Sequence, residues 1–280
     1  MSWNVNIARG RPNGLYVFMQ GCDMVNTIQN TLDGESLVEV SIKILRDHEP
    51  EEGYYVAFSG GKDSVVILDL VKKAGVKYEA FYNCTTVDPP ELVQFIKREY
   101  PRVRWNMPEK TMWQLIVENG MPPLRQIRYC CRVLKERGGD GRFVVTGVRK
   151  AESHKRAGRR QVESCNISQS GKWYIHPVID WSDSEIWDYI RDNNIAYCSL
   201  YDEGWKRLGC VCCPNTNQQR DAKRWPKIAN AYRRACVKAY DFAIEKGLKR
   251  SNWSSGEEMF EWWISGKGNK GDPDQGVLFE

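Results

Sequence analysis

From Leu37 to Arg46 the apolar residues recur at helical spacing, which predicts one helix ending near Pro50. Tyr54-Tyr-Val-Ala-Phe58 is a short unbroken apolar run and predicts a buried strand. It leads straight into Ser59-Gly-Gly-Lys-Asp-Ser64. The segment Val65 to Val71 then resumes a helical pattern, closed by Gly75. Tyr78 to Tyr82 predicts a second strand, Pro90 to Glu99 a further helix, Val103 to Trp105 a third strand and Arg142 to Gly147 another. Strands alternating with helices in this way predict an α/β fold, a parallel sheet covered on both faces.

The later chain is less regular. Trp173 to Ile179 predicts a strand, and Ser182-Asp-Ser-Glu185 is a capping box opening a helix through Ile186, Trp187 and Ile190. Asn217 to Lys246 is helical with an interruption near Pro226, and the tail from Gly266 is expected to be mobile. The aromatic group Trp253, Phe260, Trp262 and Trp263 reads as a final helix packed on the core, or alternatively as a partner surface. No internal repeat is visible. The expected organisation is an extension over 1–36, a nucleotide-binding domain with a cysteine cluster over 37–214, a helical region over 215–265 and a flexible tail over 266–280.

Composition narrows the class. A chain of 280 residues with 41% hydrophobic and 28% charged residues excludes collagen-like and disordered proteins. No window approaches the roughly 18 apolar residues of a membrane span, so a membrane protein is excluded. The first 20 residues lack an apolar stretch of signal-peptide length, which predicts a cytoplasmic chain. A net charge of +5 points only weakly to a polyanionic partner. The ten cysteines change the picture more, because five fall in two clusters, Cys130-Cys131 and Cys210-x-Cys212-Cys213. Without an export signal, disulfides give way to a metal or iron–sulfur site. Cys22, Cys84, Cys198 and Cys236 read as small buried hydrophobes.

The segment Ser59-Gly60-Gly61-Lys62-Asp63-Ser64 lies between a strand and a helix, where a phosphate site belongs. The glycines admit an anion close to the backbone, and the free N–H groups of the helix start hold it. Lys62 adds a point charge, and Ser59 and Ser64 add hydroxyls. Asp63 orients the loop or helps hold Mg²⁺. Cys210-x-x-Cys213 followed by Pro214 forms a tight turn presenting two thiolates to one centre.

The hexapeptide resembles the pyrophosphate-binding loop of the adenine nucleotide α-hydrolase superfamily, which includes ATP pyrophosphatases, thiolation enzymes and 3′-phosphoadenylylsulfate (PAPS) reductases. Thr85-Thr-Val-Asp-Pro-Pro-Glu91, Cys130-Cys-Arg-Val-Leu-Lys135, Gly147-Val-Arg-Lys-Ala-Glu-Ser153 and His176-Pro-Val-Ile-Asp-Trp181 resemble the PAPS reductase branch. The similarity runs from about Leu37 to Pro214. It implies a doubly wound, Rossmann-like parallel sheet with the nucleotide at the carboxyl ends of the strands. It also implies that Thr85 and Asp88 approach the nucleotide, and that Gly147, Arg149, Glu152, Ser153 and Arg156 face its phosphate or sulfate end. Guanidinium forks suit tetrahedral oxyanions, which fits Arg149 and Arg156 to that end; with Lys62 and Asp63 of the loop they are the expected catalytic set. Arg159 and Arg160 stand equally as ligands or as a solvated basic loop.

The same resemblance implies a 4Fe–4S cluster on Cys131, Cys210 and Cys213, with the fourth place open between Cys130 and Cys165 and zinc as the alternative metal. Sulfonucleotide reductases of this kind attack the sulfate with a cysteine in a C-terminal segment. Here the last cysteine is Cys236, within a helical run where burial would raise its pKa. The expected activity is therefore ATP-dependent adenylation with pyrophosphate release, coupled to sulfur transfer onto a nucleic acid. One alternative is a thiol-dependent reductase of PAPS or adenylylsulfate. The other is a non-catalytic accessory protein binding nucleotide or nucleic acid through its basic segments, Trp205 and Trp225. The implied partners are an adenine nucleotide, a nucleic-acid acceptor and a sulfur donor or thioredoxin-like protein. A homo-oligomer stays open, and no membrane is involved.

Overall fold

The computed structural model describes residues 36–164, 171–247 and 252–269. Cys22, Cys165, nearly all of the expected N-terminal extension and residues 270–280 of the tail lie outside them. The described chain gathers into two compact units. One holds residues 36–54, Lys62–Tyr78 and Arg142–Ala196, and the other Tyr55–Gly61, Glu79–Gly141 and the chain from Tyr197. No helix among the described residues is long and apolar enough to cross a membrane.

Six strands form one mostly parallel sheet: β1 (Tyr54–Phe58), β2 (Tyr78–Asn83), β3 (Arg104–Asn106), β4 (Phe143–Val145), β5 (Val162–Ser164) and β6 (Trp173–Ile175). Their spatial order is β3-β2-β1-β4-β6-β5. The chain thus winds outward from β1 to β3, then restarts at β4 and winds the other way. Right-handed crossovers in opposite directions place helices on opposite faces, the doubly wound arrangement expected.

In the first unit, α1 (Leu37–Asp47) starts at a capping box in which Ser36 and Glu39 satisfy each other's backbone N–H. It packs on α2 (Lys62–Ala74), which in turn packs on α6 (Asp183–Asp192). Gly75 ends α2 at φ +72, a conformation in which a side chain would be strained. Leu45, Val66, Ile67, Val145 and Ile175 are buried at this unit's core. The capping box at Ser182 and Glu185 opens α6 as its sequence predicts.

In the second unit, α3 (Pro90–Glu99) matches its predicted span. A helix over α4 (Met112–Asn119) was not predicted, although Thr111 and Gln114 spell its capping box. The predicted interruption at Pro226 separates α7 (Gln218–Arg224) from α8 (Pro226–Glu245). Of the aromatic group near the C-terminus, Phe260 and Trp263 are core, while Trp253 and Trp262 are half-buried. Trp263, on α9 (Gly256–Ile264), is fully buried, lies 4.7 Å from the Tyr232 ring and donates its indole N–H to the Pro123 carbonyl at 2.7 Å. A Cβ on Gly256 would stand 2.3 Å from the Val237 backbone, so only glycine lets α9 start against α8.

Two expectations need correction. The run Trp173–Ile179 pairs as a strand only to Ile175, because the chain then turns and the Ile179 N–H bonds back to the His176 carbonyl at 3.2 Å. The sheet also carries an edge strand absent from the prediction, β5, antiparallel to β6. Its three residues are too few to show a period. The short helix α5 (His154–Ala157) lies just before it.

His176 is buried, with Nδ1 at 2.7 Å from the Thr146 hydroxyl and Nε2 at 3.3 Å from Glu163. Burial pushes its pKa below the usual imidazole range, despite the pull of Glu163. The unfolded chain therefore binds a proton first as pH falls below about 6.5, and stability should drop through that window. Urea midpoints at pH 7.5 and 5.5 would measure it, and a His176→Gln variant should lose that part of the slope.

Candidate functional site

The segment Ser59–Ser64 joins β1 to α2, and α2 begins at Lys62. Gly60 adopts φ +73, and a Cβ there would meet Leu92 and Ile96 side chains at 2.8 Å. Gly61 has no such constraint, since its Cβ would make only ordinary contacts at 3.5 Å. Its N–H donates to the Ser59 hydroxyl at 3.4 Å. Ser64 is buried in the first turn of α2.

At the head of α2 two cations are taken out of water. Lys62 Nζ lies 3.3 Å from Asp63 Oδ2 and 3.1 Å from Asp183 Oδ1. Arg149 is 1% exposed; it donates to Asp63 Oδ1 at 2.6 Å, to Asp183 Oδ1 at 2.5 Å and to the Trp181 carbonyl at 3.2 Å. Both Asp63 oxygens are therefore engaged by cations, which makes Asp63 the residue that orients Lys62 and Arg149 and not a free ligand for Mg²⁺. Asp183 differs, because its side chain is 66% exposed. Burial pushes its carboxyl up, but hydrogen bonds from Arg149 and Lys62 outweigh this and hold it below the usual carboxylate range. Sequence reasoning missed Asp183 as a site residue, reading it only as part of the capping box that opens α6.

Gly147 lets the chain after β4 close on this cluster, since a Cβ there would stand 2.9 Å from Asp63 Cβ and 3.1 Å from its carbonyl carbon. A Gly147→Ala change must push the first turn of α2 aside and should cost about 1–3 kcal/mol, the usual penalty of overpacking. Chemical denaturation would read it, and an unperturbed midpoint would contradict this contact.

Glu152, Ser153 and Arg156 form a local framework. Glu152 accepts from the Arg149 N–H at 3.1 Å and pairs with Arg156, while Ser153 caps the Arg156 N–H at 3.3 Å. Arg159 pairs with Glu163, and the Arg160 N–H donates to Glu163 at 3.3 Å. Of the predicted set, the structure thus joins Lys62, Asp63 and Arg149 directly, with Glu152 linking Arg156 to the Arg149 backbone.

Thr85, Asp88 and all eight described cysteines belong to the second unit. Asp88 accepts from the Thr85 N–H at 3.0 Å and from the Tyr82 hydroxyl at 2.5 Å. The Thr85 side chain hydrogen-bonds Cys210. Cys130 and Cys131 hydrogen-bond each other, which raises the Cys130 pKa; the fields of Cys210 and Cys213 raise it further. The same bond, aided by Lys135 and Arg128, brings Cys131 down to about 6. Burial pushes Cys210 up to about 11 against the pull of Lys135. Cys212 stands apart: it is buried at φ +57, and its N–H donates to Asp221 at 2.9 Å. Cys198 and Cys236 are fully buried as expected, whereas Cys84 is partly exposed.

Among the described residues no three His, Cys, Asp or Glu side chains converge closely enough to hold a single metal ion. A zinc site with sulfurs at about 2.3 Å is therefore not assembled by this side-chain arrangement. The donor chemistry suits a broader group, with four thiols from two segments within each other's field and Cys131 readily ionised.

Residues 53–216 match the family model for the phosphoadenosine phosphosulfate reductase domain. An uncharacterized protein of Methanocaldococcus jannaschii is 30% identical over 217 residues, covering 70% of this chain and 45% of its own length. The adenosine 5′-phosphosulfate reductase of Staphylococcus epidermidis RP62A is 24% identical over 233 residues, which is 79% of this chain and 94% of that protein. The crystal structure of the Candida auris phosphoadenylyl-sulfate reductase, a phosphate complex, aligns with a TM-score of 0.47 at 18% identity, over 66% of this chain and 98% of that one. The chain spans less than half the length of the two Methanocaldococcus relatives it matches, 45% and 46%.

Proposed function

Because the chain belongs to the phosphoadenosine phosphosulfate reductase domain family, we propose that it is a sulfonucleotide reductase acting on adenosine 5′-phosphosulfate or its 3′-phosphorylated form. The observation that carries this reading is the pair of buried cations at the head of α2, Lys62 and Arg149, fixed by Asp63 and covered by the exposed carboxylate of Asp183. An oxyanion entering there displaces Asp183 and meets a lysine, a guanidinium fork and the positive end of a helix. Those groups bind the phosphosulfate and stabilise charge on the departing adenylate. A thiolate attacks the sulfate sulfur, the bond from sulfur to the phosphate oxygen breaks, and the adenylate leaves. A second thiol then attacks the divalent, thiol-derived sulfur of the resulting thiosulfonate, and its bond to the sulfonate sulfur breaks, releasing sulfite and leaving a disulfide.

Cys236 is not that thiol. It is fully buried in α8, and burial pushes its pKa up to about 12. The reductant is a separate dithiol, of the thioredoxin type. Cys130, Cys131, Cys210 and Cys213 would hold a 4Fe–4S cluster, which supplies redox-active iron when bound. Cys165 lies outside the described residues. Iron and sulfide analysis after anaerobic purification tests the cluster, and a Cys131→Ser variant should lose it.

Burial of Cys236 also favours a second reading within the same fold: adenylation by ATP with Mg²⁺, pyrophosphate release and sulfur transfer to an acceptor such as a nucleic acid. One assay separates the two. Sulfite release from either sulfonucleotide with thioredoxin supports the reductase. Pyrophosphate release from ATP without sulfite formation overturns it in favour of adenylation.

A further inference from the structure

The chain from Gly204 to Tyr240 carries nine lysines and arginines against one carboxylate, Asp221, although the whole chain holds 41 basic and 36 acidic residues. Asp221 is buried and offers no charge to the surface. Two of the nine cations are neutralised by carboxylates, Arg224 by Glu91 and Glu203, and Arg233 by Glu261. Six others, Lys206, Arg207, Lys223, Lys227, Arg234 and Lys238, are exposed and pair with no carboxylate of the described residues. Arg220 is exposed as well, its guanidinium 3.9 Å from the Trp205 ring centroid.

This surplus has a shape. Lys206, Arg207 and Arg220 line one depression, and Arg220 and Lys223 line a wider one beside it. Past Trp225 the charge continues on α8, where Lys227, Arg234 and Lys238 stand at i, i+7 and i+11, one face of a helix. At 1.5 Å per residue that row is about 16 Å long, with the exposed amide of Asn230 beside it. Lys227 lies in the first turn of α8, which holds no acidic residue, and so opposes the helix dipole. Arg234 and Lys238 repel each other at i, i+4. An anion lying along the row relieves both.

Charge alone suits an acidic protein or a nucleic acid, and the surface around these cations separates the two. Protein interfaces are built round an apolar centre, yet no large apolar side chain of residues 204–240 is exposed. Single strands are held by bases stacking on open aromatic rings, and here Trp205 is covered by Arg220 and Trp225, while Trp225 is itself buried. Phe242, one turn past Lys238, lies under Lys246 at 4.2 Å. A duplex needs neither feature. It presents a line of phosphates, one per about 3.4 Å of each strand, so the α8 row spans about five of them. We propose that the basic face of α7 and α8 binds the phosphate backbone of a nucleic-acid duplex, without reading its sequence. This surface shares no residue with the Lys62–Arg149 cluster and does not rest on the reductase reading.

The test is fluorescence anisotropy of a labelled DNA duplex of about 20 base pairs on the full chain, from about 50 to 200 mM salt. Lys227→Gln, Arg234→Gln and Lys238→Gln combined keep helix propensity while removing the row. They should lower the slope of log affinity against log salt by about 2–3, and affinity itself about tenfold or more. Lys43→Gln, Lys72→Gln and Arg102→Gln combined remove the same charge from exposed positions elsewhere and should stay within about twofold of wild type. Absence of duplex binding at about 50 mM salt overturns the proposal. Wild-type binding by the row variant, or an equal loss in the control variant, does so too. Displacement by poly-L-glutamate at equal charge concentration overturns it in favour of an acidic protein. Tighter binding of the unpaired strand overturns it in favour of a single-strand site.

Discussion

An Arg149→Ala variant should lose about 3–5 kcal/mol of stability, the range for removing one partner from a buried ion-pair network. The side chain is 1% exposed and links Asp63, Asp183 and the Trp181 carbonyl. Its removal leaves the Asp63 carboxylate with Lys62 alone, in a site where each bond to a charged group is worth more than a neutral one. Arg149→Lys keeps the charge but cannot span three acceptors with one planar fork, so it should fall between the two. Urea unfolding followed by circular dichroism measures both variants. Wild-type stability in Arg149→Ala would mean that the network does not exist in solution.

The second large effect falls on ligand binding. Lys62→Ala should weaken binding of adenosine 5′-phosphosulfate by about 10- to 100-fold, the equivalent of one charge-assisted hydrogen bond worth roughly 1.5–3 kcal/mol. Its effect on stability should be smaller than that of Arg149→Ala, because Arg149 continues to satisfy both carboxylates. Calorimetric titration gives the affinity. Equal affinity in wild type and Lys62→Ala would remove the head of α2 as the anion site.

The parts of this molecule that can be read along the chain are those whose physics is local. α3 opens on Pro90, α6 on a Ser182–Glu185 box, and the helical run after Asn217 breaks at Pro226; each is a backbone constraint written in adjacent residues. The strand–loop–helix at Ser59–Ser64 is legible for the same reason. What escapes is set by distant partners. β5 exists only because β6 offers it an edge, and Asp183 becomes a site residue only when folding brings it to Lys62 and Arg149. The cysteine motifs are readable as spacing, but the bond between Cys130 and Cys131 that separates their acidities is a matter of side-chain placement.

The indole of Trp263 and the tight seat of Gly256 on α8 give α9 the role of a cover. Proteolytic trimming ahead of Gly256 would strip that cover and open the Tyr232 ring and its greasy surroundings to solvent. A nicked protein of this kind should self-associate and bind hydrophobic dyes while its α2 head remains untouched. Intactness of the last helix is thus a practical measure of sample quality.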